Sequence, residues 1–306
     1  MSKKWTEEDI PTQEGKNIII TGANSGIGFY AAELLAKHGA RVIMACRNQN
    51  KALEAKLAIE QKELKGSVEI ASLDLNSLDS VATFATTIQE KLHHLDCLIN
   101  NAGIMMPPYQ LTKDGFEAQL GVNHLGHFAL TGRLLPLLRN TQNARVINVS
   151  SLASKIGSFN FEDLHFKNGG YNPMFAYGRS KLANLLFTYE LDRRFKKQGC
   201  SSFSIAVHPG TTTSNLMHYL TENWLIDKLK FFSDIYTQSP YMGSLPTVRG
   251  AVDQSVSGGE YFGPSGFLEH RGYPKLVSSS KVSHDKVLAQ KLWEASERET
   301  GVNFIF

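Results

Sequence analysis

The chain has 306 residues, 42% of them hydrophobic, long enough to bury one large α/β core. Its 32 Lys and Arg stand against 29 Asp and Glu, a net charge of +3 with no basic stripe to track phosphates, which excludes nucleic acid as an expected partner. Three cysteines, Cys46, Cys97 and Cys200, lie far apart and outside any CxxC pair, so neither a disulfide framework nor a zinc site is expected and a cytoplasmic setting fits.

Met1 to Lys16 is polar, carrying Glu7, Glu8, Asp9 and Glu14, unlike the apolar core of a signal peptide. Residues 1–14 read as an N-terminal extension and 15–306 as one domain. No apolar run approaches the roughly 20 residues of a bilayer span, so a soluble protein is expected, with contact at a membrane surface left open. Asn17–Thr21 (NIIIT) is a short apolar run ending in glycines, and Gly28–His38 has helical spacing that Gly39 stops. Arg41–Ala45 reads as a second buried strand and Lys51–Leu64 as the next helix. Ser67–Ser72, Asp96–Asn100, Arg145–Ser150 and Ser202–Val207 are further β-rich runs, with helical patterns such as Leu78–Leu92 between most of them. This alternation predicts a doubly wound parallel sheet with helices on both faces, a Rossmann-type single domain, because right-handed crossovers cover both sides. Two stretches break the rhythm, about 157–175 and about 211–258, and long irregular segments beside a sheet usually shape a pocket. Within the second, Trp224–Tyr236 has the apolar and charged spacing of an amphipathic helix or lid.

Thr21–Gly28 reads TGANSGIG between a predicted strand and a predicted helix. There Gly22, Gly26 and Gly28 permit a tight turn and let backbone N–H groups approach a pyrophosphate at the positive end of the helix. Asn24, Ser25 and Ile27 share that turn and count among the expected cofactor contacts. The second strand runs into Cys46 and Arg47, where an NAD site would usually place a carboxylate for the ribose 2′-OH. A guanidinium there suits a 2′-phosphate, so NADP(H) is the expected cofactor, although Arg47 could also simply begin a solvated loop. Asp74 could hold the adenine amino group, with the backbone of Leu75, or cap the helix that follows. Asn101, Ala102 and Gly103 close the fourth strand where a sheet's carboxyl edge meets its ligand.

Tyr177 and Lys181 form a Tyr-x-x-x-Lys pair in a helical pattern, so both face one way. A free tyrosine titrates near pH 10, and a neighbouring ammonium is expected to lower that value toward neutrality. His124 and His127 share helical spacing without a completing ligand, so they read as packing residues and no metal is expected.

Taken in order, TGANSGIG, the NNAG of Asn100–Gly103, Asn123, the VSS of Val149–Ser151, the YGRSK of Tyr177–Lys181 and Pro209-Gly210 resemble the short-chain dehydrogenase/reductase family. The resemblance implies that Ser151 (rather than Ser150) hydrogen-bonds the substrate oxygen and that Tyr177 exchanges its proton. It implies that Lys181 tunes Tyr177 and binds the nicotinamide ribose, and that Asn123 holds a helix distortion organising a water beside Lys181. Pro209, Gly210 and Thr212 join the implied cofactor contacts. The lengthened Ser151–Tyr177 segment, together with MACRN, HPG and SKLAN, resembles the retinol dehydrogenase and protochlorophyllide reductase-like branch. That branch implies NADP(H) and a bulky apolar carbonyl or alcohol. A reductase of an activated C=C bond and a non-catalytic NADP-binding regulator remain as alternatives, and a homo-oligomer is the family's habit.

Overall fold

The computed structural model describes residues 4–212 and 237–306. Its strands are β1 (Asn17–Thr21), β2 (Arg41–Cys46), β3 (Ser67–Ser72), β4 (Cys97–Asn100), β5 (Arg145–Val149), β6 (Phe203–Val207), β7 (Tyr261–Pro264) and β8 (Pro274–Leu276). They form one sheet in the order β3-β2-β1-β4-β5-β6-β7-β8. Pairing is parallel until the last strand, which runs antiparallel to β7. The helices in chain order are α1 (Gly26–Lys37), α2 (Gln49–Glu60), α3 (Leu78–Lys91), α4 (Ala118–Leu120), α5 (Gly126–Arg133), α6 (Leu135–Asn140), α7 (Pro173–Lys197), α8 (Pro240–Val252) and α9 (Lys286–Thr300).

Alternation along β1 builds a core on each face of the sheet. Ile18 and Ile20 pack with Leu34, Leu35, Leu245 and Val248 from α1 and α8. Ile19 packs on the other side with Phe84, Ile88, Phe128 and Phe187 from α3, α5 and α7. All three isoleucines are buried, each stabilising the fold by about 2 kcal/mol. The register sets Ile19 opposite Ile43 of β2 and Leu98 of β4, so the strand order reverses at β1. Such a switch point leaves a crevice beyond the carboxyl ends of β1 and β4.

Polar side chains fix where helices begin. Asn48 caps α2, and Asp285 accepts from Val287 and Leu288 at the start of α9. Asn172 accepts from Met174 and Phe175, with Pro173 opening α7, which places Tyr177 in the second turn of that helix.

The expected irregularity of 211–258 does not hold for α8. Gly243, Pro246 and Gly250 lie inside this helix and mask its pattern, while Ser239 caps it and Pro240 starts it. Trp224–Tyr236 lies outside the described residues. Among the described residues, no helix is long and apolar enough to cross a membrane.

Candidate active site

Glycine geometry opens the site. Gly22 and Gly26 have φ of +66° and +57°, a region that disfavours side chains. At Gly28 a Cβ would lie 2.6 Å from Asn101 Nδ2 and 2.7 Å from the Gly22 carbonyl. The turn therefore closes only with glycine there. Ser25 precedes α1 without a side-chain capping bond, leaving the first N–H groups of that 12-residue helix for another acceptor.

Thr21 ties this turn to the end of β4. Its hydroxyl accepts from the amides of Asn101 and Ala102, each at 2.9 Å. His127 Nδ1 donates to the Asn123 carbonyl at 3.0 Å, so its bare Nε2 accepts from Thr21 Oγ1 at 2.8 Å. Burial holds His127 down to about 4 and His124 to about 3, so both imidazoles are neutral. They serve packing and hydrogen bonding within the protein.

Asn123 sits in a widened π turn, Gly121–Leu125, between α4 and α5. Its carbonyl oxygen accepts from Ile104 N at 2.8 Å, and its amide donates to Ile104 O at 3.0 Å and Ser180 Oγ at 2.9 Å. The residue is fully buried, and a Cβ on Gly103 would fall between its oxygen at 3.1 Å and Lys181 Nζ at 3.5 Å. Asn123→Ala removes the side-chain partner of the Ile104 N–H and carbonyl and one of the two partners of Ser180 Oγ, and should cost about 2 kcal/mol, measured by denaturant unfolding.

Ser151, Tyr177 and Lys181 meet at the carboxyl end of β5. Ser150 Oγ donates to the Lys181 carbonyl at 2.8 Å and is consumed by the fold. Ser151 Oγ accepts from Ala153 N at 3.2 Å and keeps its hydroxyl close enough to Tyr177 to lower that phenol's pKa. Lys181 Nζ lies 5.7 Å from the Tyr177 ring centre and donates to the Val149 carbonyl at 3.1 Å. Burial pushes the Tyr177 phenol up to about 12, against the lowering influence of Ser151, and the Lys181 ammonium down to about 8. The direction is opposite to the expected fall, because desolvation of the buried phenol dominates while Lys181 Nζ is engaged by the Val149 carbonyl. At neutral pH the Tyr177 hydroxyl is therefore protonated.

These groups share a cleft of about 640 Å³ with Gly22, Asn24, Ser25, Gly26, Ile27, Gly28, Asn101, Ala102, Gly103, Pro209, Gly210 and Thr212. Ile104, Met105, Met106, Leu152, Ala153 and Met174 add an apolar wall that the sequence motifs did not indicate. Met106 has φ of +53° and its amide is held by Gln119 Oε1 at 2.8 Å; Gln119 also donates to Tyr171 and to the Pro173 carbonyl. Of the 157–175 segment, Met174 lines the cleft, Tyr171 and Pro173 brace the wall through Gln119, and Leu164 packs in a core with Phe116, Leu120 and Leu182. A position just past NNAG was the signal available for the wall.

Four expected residues are not on the cleft lining. Asn123 acts from beneath it. Arg47 is exposed past the end of β2, with no ion pair to a described residue. Asp74 accepts from Asn76 N at 3.1 Å and lies 3.5 Å from Lys113 Nζ, a loop-organising role, and Leu75 is buried. The three cysteines are unpaired, and burial pushes Cys46 up to about 11. A second cleft, about 860 Å³, lies at the opposite edge of the sheet near Lys16, Asp96 and Arg145. Arg145 there is committed to the carbonyls of Gly250 and Asp253, and Asp96 is paired with Lys16 at 2.9 Å and with His94 at 3.3 Å.

Comparison with known proteins agrees with this arrangement. Residues 16–224 match the family model described as short chain dehydrogenase. The chain is 40% identical to mouse (Mus musculus) retinol dehydrogenase 14 over 96% of its own length and 88% of the relative's. It is 38% identical to human (Homo sapiens) retinol dehydrogenase 13, covering 95% and 86%. A crystal structure of an uncharacterised protein from Mycobacterium paratuberculosis is similar with a TM-score of 0.82 and 40% identity, covering 99% of this chain and 100% of that one. The Pseudomonas aeruginosa RhlG/NADP active-site complex shares the fold at a TM-score of 0.64 and 23% identity, covering 82% and 94%.

Proposed function

The chain belongs to the short-chain dehydrogenase family, and we propose that it is an NADP(H)-dependent oxidoreductase interconverting a medium to large apolar aldehyde or ketone with its alcohol. The observation that carries this reading is one cleft that joins a glycine cradle to Ser151, Tyr177 and Lys181 and then to an apolar wall of Ile104, Met105, Met106 and Met174. The cradle fits a dinucleotide: a Cβ at Gly28 would collide with its floor, and the N-terminus of α1 is uncapped. Gly22–Gly28 and Asn101–Gly103 would hold the cofactor from one side, and Lys181, Pro209, Gly210 and Thr212 from the other. When bound, NADP(H) supplies the hydride.

The residues of the chain supply position and a proton. In the reductive direction the hydroxyls of Ser151 and Tyr177 hold the carbonyl oxygen, and Tyr177, protonated at neutral pH, donates to it as negative charge develops. The Lys181 ammonium, held on Val149 O, stabilises the resulting phenolate and can return a proton. The apolar wall excludes water from the reacting carbon. The names of the retinol dehydrogenase relatives support a substrate of retinal-like size and polarity.

Product analysis after incubation with NADPH and an apolar aldehyde, ketone or enone tests the reaction type. The alcohol is expected, and a saturated carbonyl from the enone would assign C=C reduction instead.

Cofactor preference follows from the end of β2, where Cys46 is buried and receives the backbone of Ala23 and Asn24, leaving exposed Arg47 as the first charged group. NADPH should bind at least about tenfold more tightly than NADH, and Arg47→Glu should remove that preference by introducing a carboxylate beside the 2′-phosphate. Calorimetric titration of both cofactors checks this. Equal affinities in the parent protein would exclude the role of Arg47.

A further inference from the structure

The loop after β6 is held from outside the motif-bearing part of the chain. His208, fully buried, immediately follows β6, and its ring occupies space that only a glycine leaves: a Cβ on Gly263 of β7 would lie 2.0 Å from its Nε2. Gly210 N donates to His208 Nδ1 at 3.3 Å, so Nδ1 is bare and the proton sits on Nε2. That Nε2–H donates to Glu269 Oε2 at 3.1 Å.

Glu269 reaches this position through an unusual turn. Leu268 and Glu269 have φ of +49° and +62°, two consecutive non-glycine residues in the left-handed region. Gly210, with φ of +67°, packs so closely on this turn that a Cβ would lie 2.3 Å from the His270 carbonyl. Further ties run alongside. Thr211 N donates to His270 O at 2.8 Å, and Gln238 donates to Pro209 O at 2.7 Å while accepting from Gly272 N at 2.9 Å.

We propose that Glu269 is a positioning residue for the cofactor loop: it locks His208 in the Nε2–H tautomer, whose bare Nδ1 then holds the Gly210 amide and with it the Pro209–Thr212 segment. The inference rests on the reading that this segment binds NADP(H). Backbone strain of the kind seen at Leu268 and Glu269 persists where surrounding contacts require it, and the contact here is the imidazole. The groups facing the pair are consistent with a neutral ring. Burial, with Lys155 and His270, lowers the pKa of His208, and only Glu269 raises it. Glu269 is itself held as a carboxylate, by His208 first and by Lys155 and Lys275.

Calorimetric NADPH binding to the full-length protein and its Glu269 variants tests the proposal. Glu269→Ala should raise the NADPH dissociation constant about tenfold and the NADPH KM in step, with kcat changed less than about threefold. Glu269→Gln keeps an acceptor for Nε2–H and should stay within about twofold of the parent protein. Unchanged binding in Glu269→Ala would overturn the clasp while leaving the cofactor reading intact, whereas a parent protein that does not bind NADPH would overturn both. An equal loss in Glu269→Gln and Glu269→Ala would also overturn it, because tautomer control requires rescue by the amide. Should Glu269→Ala not fold, nitrogen-edited NMR of the parent imidazole decides. The Nε2–H tautomer at neutral pH is expected, and the Nδ1–H tautomer or an imidazolium would contradict the proposal.

Discussion

Tyr177→Phe should lower kcat for carbonyl reduction by ~10³-fold while leaving the NADPH dissociation constant within about twofold. The substitution removes one oxygen and keeps the ring, which is 8% exposed and packed in the second turn of α7. What is lost is the proton donor itself. Burial has pushed that phenol up to about 12, so the hydroxyl is protonated across the neutral range and ready for reduction. The same burial makes the oxidative direction depend on deprotonating it, so alcohol oxidation should keep rising with pH where reduction does not. Stopped-flow measurement of NADPH consumption separates the loss of chemistry from any change in binding. Retention of more than about a tenth of the parental rate in Tyr177→Phe would remove this residue from the mechanism.

Lys181→Met should reduce kcat/KM about 10²-fold and also abolish a pH dependence. Burial brings the ammonium down to about 8, so the parent protein should reduce substrate at a constant rate below that pH and lose activity as pH rises through it. The sign follows from the charge: the working form is the ammonium, which deprotonation removes. In Lys181→Met there is no such group to titrate, and the rate should be low and flat through the same window. An alkaline limb near pH 8 that survives the substitution would belong to another group.

Local chemistry made much of this legible. The glycine turn, the i, i+4 pair of Tyr177 and Lys181 and the alternating strand and helix patterns each reside in a few consecutive residues, and the structure places them at one switch point of the sheet. The resemblance already favoured Ser151 over Ser150, and the structure adds a physical reason, the hydrogen bond from Ser150 to the Lys181 carbonyl. Distance in sequence hid other features. His208 and Glu269 are 61 residues apart, and His127 reaches back 106 residues to Thr21, so neither pairing leaves a spacing to read. Helix α8 was obscured by Pro246 and two glycines that break its pattern. The strands β7 and β8 are short, at 4 and 3 residues, so neither offers a long apolar run to read. The direction of the Tyr177 shift was also beyond sequence. Spacing shows that an ammonium is near, but desolvation depends on packing from β5, α7 and the loop after Gly103.

The most direct test is NADPH oxidation by the purified protein with a panel of apolar aldehydes and ketones, run beside Tyr177→Phe and with the product identified. The parent protein should consume NADPH and form the corresponding alcohol in equal amounts, and the variant should bind NADPH yet turn over at ~10⁻³ of the rate. A parent protein that binds NADPH but oxidises none of it with any aldehyde, ketone or enone would contradict the assignment and leave a cofactor-binding protein without turnover.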